Sequence, residues 1–92
     1  MPSRDVLEDW EELAAQFGHR VRALRKARGL TQERLAHAVG MSRNQIQNIE
    51  NSRNNTRDAD GKRRGGTANP RLETIWALAR ALEVDPTELL RR

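Results

Sequence analysis

Apolar residues recur three or four positions apart along most of the chain, which is the spacing of one face of an α-helix. The first such stretch, residues 5–17, places Trp10 and Leu13 on one face and acidic residues on the other. Gly18 interrupts this pattern, and we expect a second helix to follow it and to end at Gly29. No segment alternates as an amphipathic strand does, so the pattern predicts an all-α fold.

Two short helices joined by a tight turn are predicted next. Thr31 caps the first of them, and Gly40 ends it because glycine adopts the left-handed conformation without strain. Ser42 begins the second helix, with Gln45 at the spacing of a capping box. The inward residues of this pair are Leu35, Ala36, Val39, Ile46 and Ile49.

The rest of the chain reads as a loop followed by two helices. Residues 51–69 contain almost no apolar residue and three glycines, which is typical of a loop. Asn69-Pro70 signals the start of one helix and Asp85-Pro86 the start of another. We expect the following apolar residues to face inward: Leu72, Ile75, Trp76, Ala79, Leu82, Leu89 and Leu90.

The second of the two short helices has a distinctive outward face. The residues on the side away from Ile46 and Ile49 all carry basic, amide or hydroxyl groups: Ser42, Arg43, Asn44, Gln45, Gln47 and Asn48. In the major groove, arginine pairs with guanine O6 and N7, and asparagine pairs with adenine. The pattern therefore favours a DNA-reading helix, with an ordinary solvated surface as the alternative interpretation.

The net charge of +4 is unevenly distributed along the chain. Residues 1–16 hold one arginine and five carboxylates, whereas residues 17–50 hold seven cations and two acids. Residues 51–71 add six cations against two acids. A basic middle preceded by an acidic arm indicates a polyanionic partner, most often nucleic acid.

The composition argues against several classes of protein. The chain has no cysteine and its two histidines, His19 and His37, are isolated, so we expect no disulfide and no metal site. Because no nucleophile–base pair or phosphate-binding glycine loop is present, we expect neither enzymatic activity nor a cofactor. No apolar run approaches the roughly 20 residues of a membrane span, which favours a cytoplasmic protein without membrane contact.

Taken together, these elements resemble the Cro/C1-type (Xre) helix-turn-helix family of phage-repressor-like DNA-binding domains. The resemblance runs from about Phe17 to Leu90, and its carriers are LTQERLA, the GMS turn, QNIE, PRLETI and ALEVDPTELL. It implies a five-helix lambda-repressor-like domain at 17–92. Residues 1–16 would add an acidic amphipathic helix, and residues 51–69 a long loop after the recognition helix.

The resemblance also implies roles for individual residues. Arg25 and Glu50 match a structural ion pair between the first and third helices of such domains. Many members carry glycine where Ser52 stands, so we expect a different exit from the recognition helix. Gln32 matches a glutamine that braces this helix and contacts a phosphate, and Arg71 matches a position that reaches the minor groove. The implied DNA contacts are Gln32, Ser42, Arg43, Asn44, Gln45, Gln47, Asn48, Arg53 and Arg71.

The resulting hypothesis is a sequence-specific, double-stranded DNA-binding transcriptional regulator, a repressor acting as a homodimer on a pseudo-palindromic operator. The alternative is an antitoxin-like or adaptor protein whose main role is to bind another protein, such as a toxin. We expect the acidic helix to pack through Val6, Trp10 and Leu13 onto its own domain or a second subunit, rather than to mask the DNA-binding face.

Overall fold

The computed structural model describes residues 4–52 and 69–91, with side chains from residue 9 onward in those ranges. Over these ranges the chain forms five helices and no strand, so the all-α fold class is confirmed. Arg53 and the rest of the predicted loop up to residue 68 lie outside the described residues. The helices are α1 Arg4–Ala27, α2 Gln32–Val39, α3 Arg43–Glu50, α4 Leu72–Leu82 and α5 Pro86–Leu90.

The first helix, α1, is continuous over 24 residues, so the predicted break at Gly18 is wrong. The acidic segment is the first half of this helix and not a separate element. A glycine inside a helix costs about 1 kcal/mol relative to alanine, but Gly18 is required by packing. A Cβ at this position would lie 2.5 Å from the carbonyl oxygen of Ile49 and 2.8 Å from that of Glu50. Gly18 therefore allows α1 to approach the end of α3 closely.

The starts of α4 and α5 differ in how well they follow the sequence signals. Asp85 caps α5 as predicted, because its carboxylate accepts hydrogen bonds from the backbone N–H and the hydroxyl of Thr87 at 2.9 and 2.7 Å. These bonds lower the pKa of Asp85. α4 begins only at Leu72, two positions after Pro70, and Arg71 provides no side-chain cap.

One largely aliphatic core receives side chains from all five helices. α1 packs on α3, α4 and α5, and α2 packs on α3 and α4. Phe17 is the aromatic member of this core. The largest fully buried side chains are Val21, Leu35, Ile46, Leu78, Leu82 and Leu89. Because α2 and α3 both contribute to the same core, packing holds them in a fixed relation to each other.

Three large apolar residues that were predicted to face inward lie at the surface instead. Leu72 is 80% exposed, Trp76 is 56% exposed and Leu90 is 41% exposed. The buried face of α4 carries Leu78 and Leu82, and Leu72 and Trp76 lie to one side of it. Since α4 has apolar residues around much of its circumference, helical spacing alone did not separate its core face from its exposed side.

The acidic first half of α1 lies partly against the protein. Trp10 and Leu13 are half-buried and Ala14 is buried. The side chain of Val6 lies outside the described side chains. This burial agrees with an arm that packs onto its own domain.

Candidate nucleic-acid interface

α2, the turn at residues 40–42 and α3 form a compact helix-turn-helix unit. Gly40 has φ 70° and ψ 32°, a left-handed conformation that lets the chain leave α2 sharply. The N–H of Met41 then donates to the carbonyl of Ala36 at 2.8 Å. Ala36 is buried, and its small side chain permits close packing of α2 on α3. In this arrangement α3 occupies the place of a recognition helix.

A reciprocal cap fixes the N-terminus of α3. The N–H of Gln45 donates to Ser42 Oγ at 3.1 Å, and the N–H of Ser42 donates to Gln45 Oε1 at 2.8 Å. This is the predicted capping box. Because both side-chain oxygens serve the cap, Gln45 has mainly its amide NH2 group to offer a ligand. Ser42 and Gln45 thus position α3 in addition to lying on its exposed face.

The outward face of α3 is polar along its length. Ile46, Ile49 and Glu50 are buried, which turns the opposite side of the helix away from the core. Arg43 makes no ion pair with another described residue, so its guanidinium remains available. The exposed residues are Arg43, Asn44, Gln45 and Gln47, and Asn48 is half-buried beside them. This face offers donors and acceptors that match base edges and phosphates.

A buried ion pair ties α3 to α1. Arg25 Nε donates to Glu50 Oε2 at 2.6 Å and Arg25 Nη2 donates to Glu50 Oε1 at 3.0 Å, with side chains 9% and 2% exposed. Arg25 Nη1 also donates to the carbonyl of Leu30 at 2.9 Å. No buried side-chain nitrogen or oxygen within residues 9–52 and 69–91 lacks a hydrogen-bond partner. A bidentate ion pair in which every polar atom is hydrogen-bonded fixes the orientation of α3 as well as its position.

Gln32 joins the same network from the start of α2. Its Nε2 donates to Glu50 Oε1 at 3.2 Å, and the side chain is half-buried. The bracing contact implied by the family resemblance is therefore present in the geometry. A phosphate contact by Gln32 would have to use the remaining N–H or the amide oxygen.

The chain leaves α3 through Ser52, which has φ 55°. This left-handed conformation is the one that glycine favours. Ser52 thus adopts without a glycine a backbone conformation that glycine reaches more easily. Its N–H donates to the carbonyl of Ile49 at 3.1 Å, which closes the helix end.

Several cations of the basic middle of the chain form contacts with other residues of the protein. Arg20 Nη1 donates to the carbonyl of Glu88 at 3.1 Å and joins α1 to α5. Arg28 forms an ion pair with Glu83, and Arg25 is buried. The family resemblance identified the structural role of Arg25, but no sequence signal distinguished Arg20 and Arg28 from arginines that face a ligand. Four other cations of residues 17–50 are exposed and form no such contact within the described residues: Arg22, Lys26, Arg34 and Arg43.

The other predicted contacts lie at the edge of the described residues. Arg71 is exposed just before α4, whereas Arg53 falls outside the described ranges. Gly18 is a residue whose role was wrongly predicted from the sequence. It allows the C-terminal end of α3 to pack closely against α1. A glycine in the middle of an otherwise helical pattern was the signal that could have identified this close contact.

The described side chains contain no group of three or more His, Asp or Glu residues arranged to hold a metal ion. Among the helices of the same ranges, none is long and apolar enough to cross a membrane.

Comparison with known proteins connects this geometry to a family. A family model described as "Helix-turn-helix domain" matches residues 16–63, more than half of the chain. No curated protein matches the chain by sequence. A similar solved structure is the restriction-modification controller protein C.AhdI from Aeromonas hydrophila, with 37% identity and a TM-score of 0.62 over 83% of this chain and 94% of that chain.

Two further solved structures share the fold. The hypothetical transcription factor NHTF from Neisseria is 28% identical, with a TM-score of 0.67 over 85% of this chain and 72% of that chain. An HTH_3 family transcriptional regulator from Vibrio cholerae is 24% identical, with a TM-score of 0.62 over 85% of this chain and 36% of that chain. The family match, together with the α2–turn–α3 unit, shows that the chain belongs to the Cro/C1-type helix-turn-helix family of DNA-binding transcription regulators.

Proposed function

We propose that this protein represses transcription as a homodimer that reads a pseudo-palindromic operator in double-stranded DNA. The observation that carries the proposal is the polar outward face of α3, held rigidly by the Arg25–Glu50 pair and the Ser42–Gln45 cap. A rigid helix presents its side chains to base edges without a cost for ordering the backbone. Occupancy of a promoter would then exclude other proteins from that DNA.

Within this proposal, the residues of α3 divide the work of recognition. Arg43 pairs with guanine O6 and N7, and Asn44 and Asn48 are the candidates for adenine. Gln45 and Gln47 add donors near the backbone or base edges. Gln32, Arg53 and Arg71 contact phosphates or the minor groove. Phosphate contacts supply affinity and the base contacts supply specificity.

Selection of bound sites from a random pool of double-stranded DNA tests the proposal directly. The expected product is a pseudo-palindrome whose half-sites are centred about 34 Å apart, one turn of B-DNA. Failure to enrich any sequence would contradict the proposal. The similarity to C.AhdI, a restriction-modification controller, makes promoters of such a system the first natural sequences to test.

Arg43→Ala should reduce discrimination at a single operator position, with a loss of about 1–3 kcal/mol for the preferred base. The matched control is Arg64→Ala in the basic segment, which should weaken binding to all sequences alike if it contacts phosphate. Titrations against matched and single-mismatch operators measure both effects. Equal losses on every operator for Arg43→Ala would show that Arg43 contacts the backbone and not a base.

A further inference from the structure

One side of α4 presents an apolar stripe to solvent. Leu72 and Trp76 are 80% and 56% exposed, and Arg80 follows one turn later on the same side. The guanidinium of Arg80 lies over the Trp76 ring, 5.9 Å from its centroid. This stripe is distinct from the buried face of α4, which carries Leu78 and Leu82. An exposed tryptophan beside an exposed leucine is the composition of an interface anchor.

Two opposite charges flank this stripe at nearly equal distances from its centre. Glu73 lies three positions before Trp76 and Arg80 lies four positions after it. Both side chains are exposed, and neither forms an ion pair with another residue in the described ranges. From the N-terminal to the C-terminal end of α4, the acidic side chain therefore comes first, the tryptophan second and the basic side chain third.

We propose that this stripe, together with the flanking Glu73 and Arg80, is the contact surface for a second copy of this chain. Leu72 and Trp76 form its apolar centre. The proposal rests on the homodimer of the proposed function and names the surface that forms it. In a two-fold symmetric dimer the same patch must complement itself. When two α4 helices pack antiparallel about the centre of the stripe, Glu73 of each copy faces Arg80 of the other.

The charges select this antiparallel arrangement over the parallel one. A parallel pair would bring Glu73 against Glu73 and Arg80 against Arg80, and like charges brought together at an interface are strongly unfavourable. In the antiparallel pair, the Trp76 rings and the Leu72 side chains of both copies become buried in the interface. Arg80 keeps its contact with Trp76 while it meets the carboxylate of the other copy.

Charge reversal tests the proposal by sedimentation equilibrium without DNA. The wild type should dimerise, and Glu73→Arg or Arg80→Glu should each weaken dimerisation by about tenfold or more, because like charges then meet twice across the axis. The double variant Glu73→Arg/Arg80→Glu restores opposite charges and should recover most of that loss. Arg22→Glu on α1 makes the same charge change as Arg80→Glu at an exposed position away from the stripe and should leave dimerisation unchanged.

The remaining outcomes overturn the proposal. A wild type that stays monomeric would show that the stripe is covered by another part of the chain or left open. Single reversals that dimerise like the wild type would place the dimer contact elsewhere. A double variant as weak as the single variants would exclude the antiparallel charge pairing.

A spectroscopic reading distinguishes this interface from DNA binding itself. Trp10→Phe leaves Trp76 as the chain's only tryptophan. Its emission should shift to the blue as protein concentration rises through the dimer dissociation constant, because the ring moves out of water; an emission independent of concentration would overturn the proposal. If the single reversals abolish the dimer and the resulting monomers still bind an isolated half-site, both the α4 interface and the DNA-binding role of α3 are supported. If the dimer forms but no DNA sequence is enriched, only the proposed function fails.

Discussion

Glu50 is the residue on which the placement of α3 depends most directly. Its carboxylate receives hydrogen bonds from Arg25 and Gln32, so it ties three helices together. Glu50→Ala should destabilise the protein by about 3–5 kcal/mol, because removing one partner leaves a buried guanidinium without its counter-charge. Thermal or urea unfolding measures this loss.

The matched control is Glu83→Ala, which removes the exposed ion pair with Arg28. An exposed pair is worth at most about 1 kcal/mol, so this variant should unfold close to the wild type. A melting temperature of Glu50→Ala equal to that of the wild type would show that the buried pair does not hold α3.

Gln45 has two roles that a single substitution can separate. Gln45→Glu keeps an oxygen to accept the N–H of Ser42, so the cap should survive and stability should change by less than about 0.5 kcal/mol. The same change removes the amide NH2 group and adds a negative charge at the proposed DNA face. DNA affinity should therefore fall for every operator sequence.

Unfolding experiments and DNA titrations on the same Gln45→Glu protein check both parts. Gln45→Ala serves as the comparison, because it also removes the acceptor for the Ser42 N–H while the bond from the residue 45 N–H to Ser42 Oγ remains, and it should cost about 1 kcal/mol. Undiminished DNA binding by Gln45→Glu would show that this position does not face the DNA.

At the scale of helices, the contact between α1 and the end of α3 depends on Gly18. Gly18→Ala improves helix propensity by about 1 kcal/mol, but its Cβ would meet the carbonyl oxygens of Ile49 and Glu50 at 2.5 and 2.8 Å. Because these atoms belong to the backbone, α3 itself must shift. We expect a net destabilisation of about 1–3 kcal/mol, in the range of an overpacked core.

Ala23→Gly is the appropriate control for helix propensity, since Ala23 is exposed on the same helix. It should lower stability by about 1 kcal/mol through propensity alone and leave DNA affinity unchanged. Gly18→Ala should in addition weaken DNA binding, because α3 is displaced. A Gly18→Ala protein more stable than the wild type would contradict the close packing.

At the scale of the entire protein, we expect the acidic half of α1 to stabilise the fold rather than to mask the basic surface. Half-burial of Trp10 and Leu13 favours the stabilising role. Deletion of residues 1–12 should therefore lower the melting temperature or weaken dimerisation. A truncated protein that melts like the wild type and binds DNA more tightly would show that the arm masks the DNA-binding surface.

Neutralising the arm without shortening it separates charge from packing. Asp9→Asn together with Glu11→Gln removes two exposed acids and leaves Trp10 in place. This variant should melt like the wild type. Any gain in its DNA affinity should disappear at physiological salt, where exposed charges are screened beyond about 8 Å.

Contacts between close neighbours in the chain could be predicted from residue type and spacing. The cap of α2 by Thr31, the Ser42–Gln45 box and the left-handed Gly40 each involve residues at most four positions apart. Their physics is contained in a single turn of backbone, so residue type and spacing suffice to predict them. The polar outward face of α3 follows in the same way from the spacing of Ile46 and Ile49.

Contacts between residues far apart in the chain could not be predicted in this way, because they form only when the helices pack together. The reason for a glycine inside α1 is the closeness of the carbonyls of Ile49 and Glu50, which leave no room for a side chain at Gly18. Whether Arg20 faces solvent depends on Glu88, 68 positions away. Whether Trp76 is core or surface depends on which side of α4 the other helices cover. Helical periodicity records that a face is apolar, but the free energy of burial is set by what packs against it, and that neighbour is brought there only by the fold.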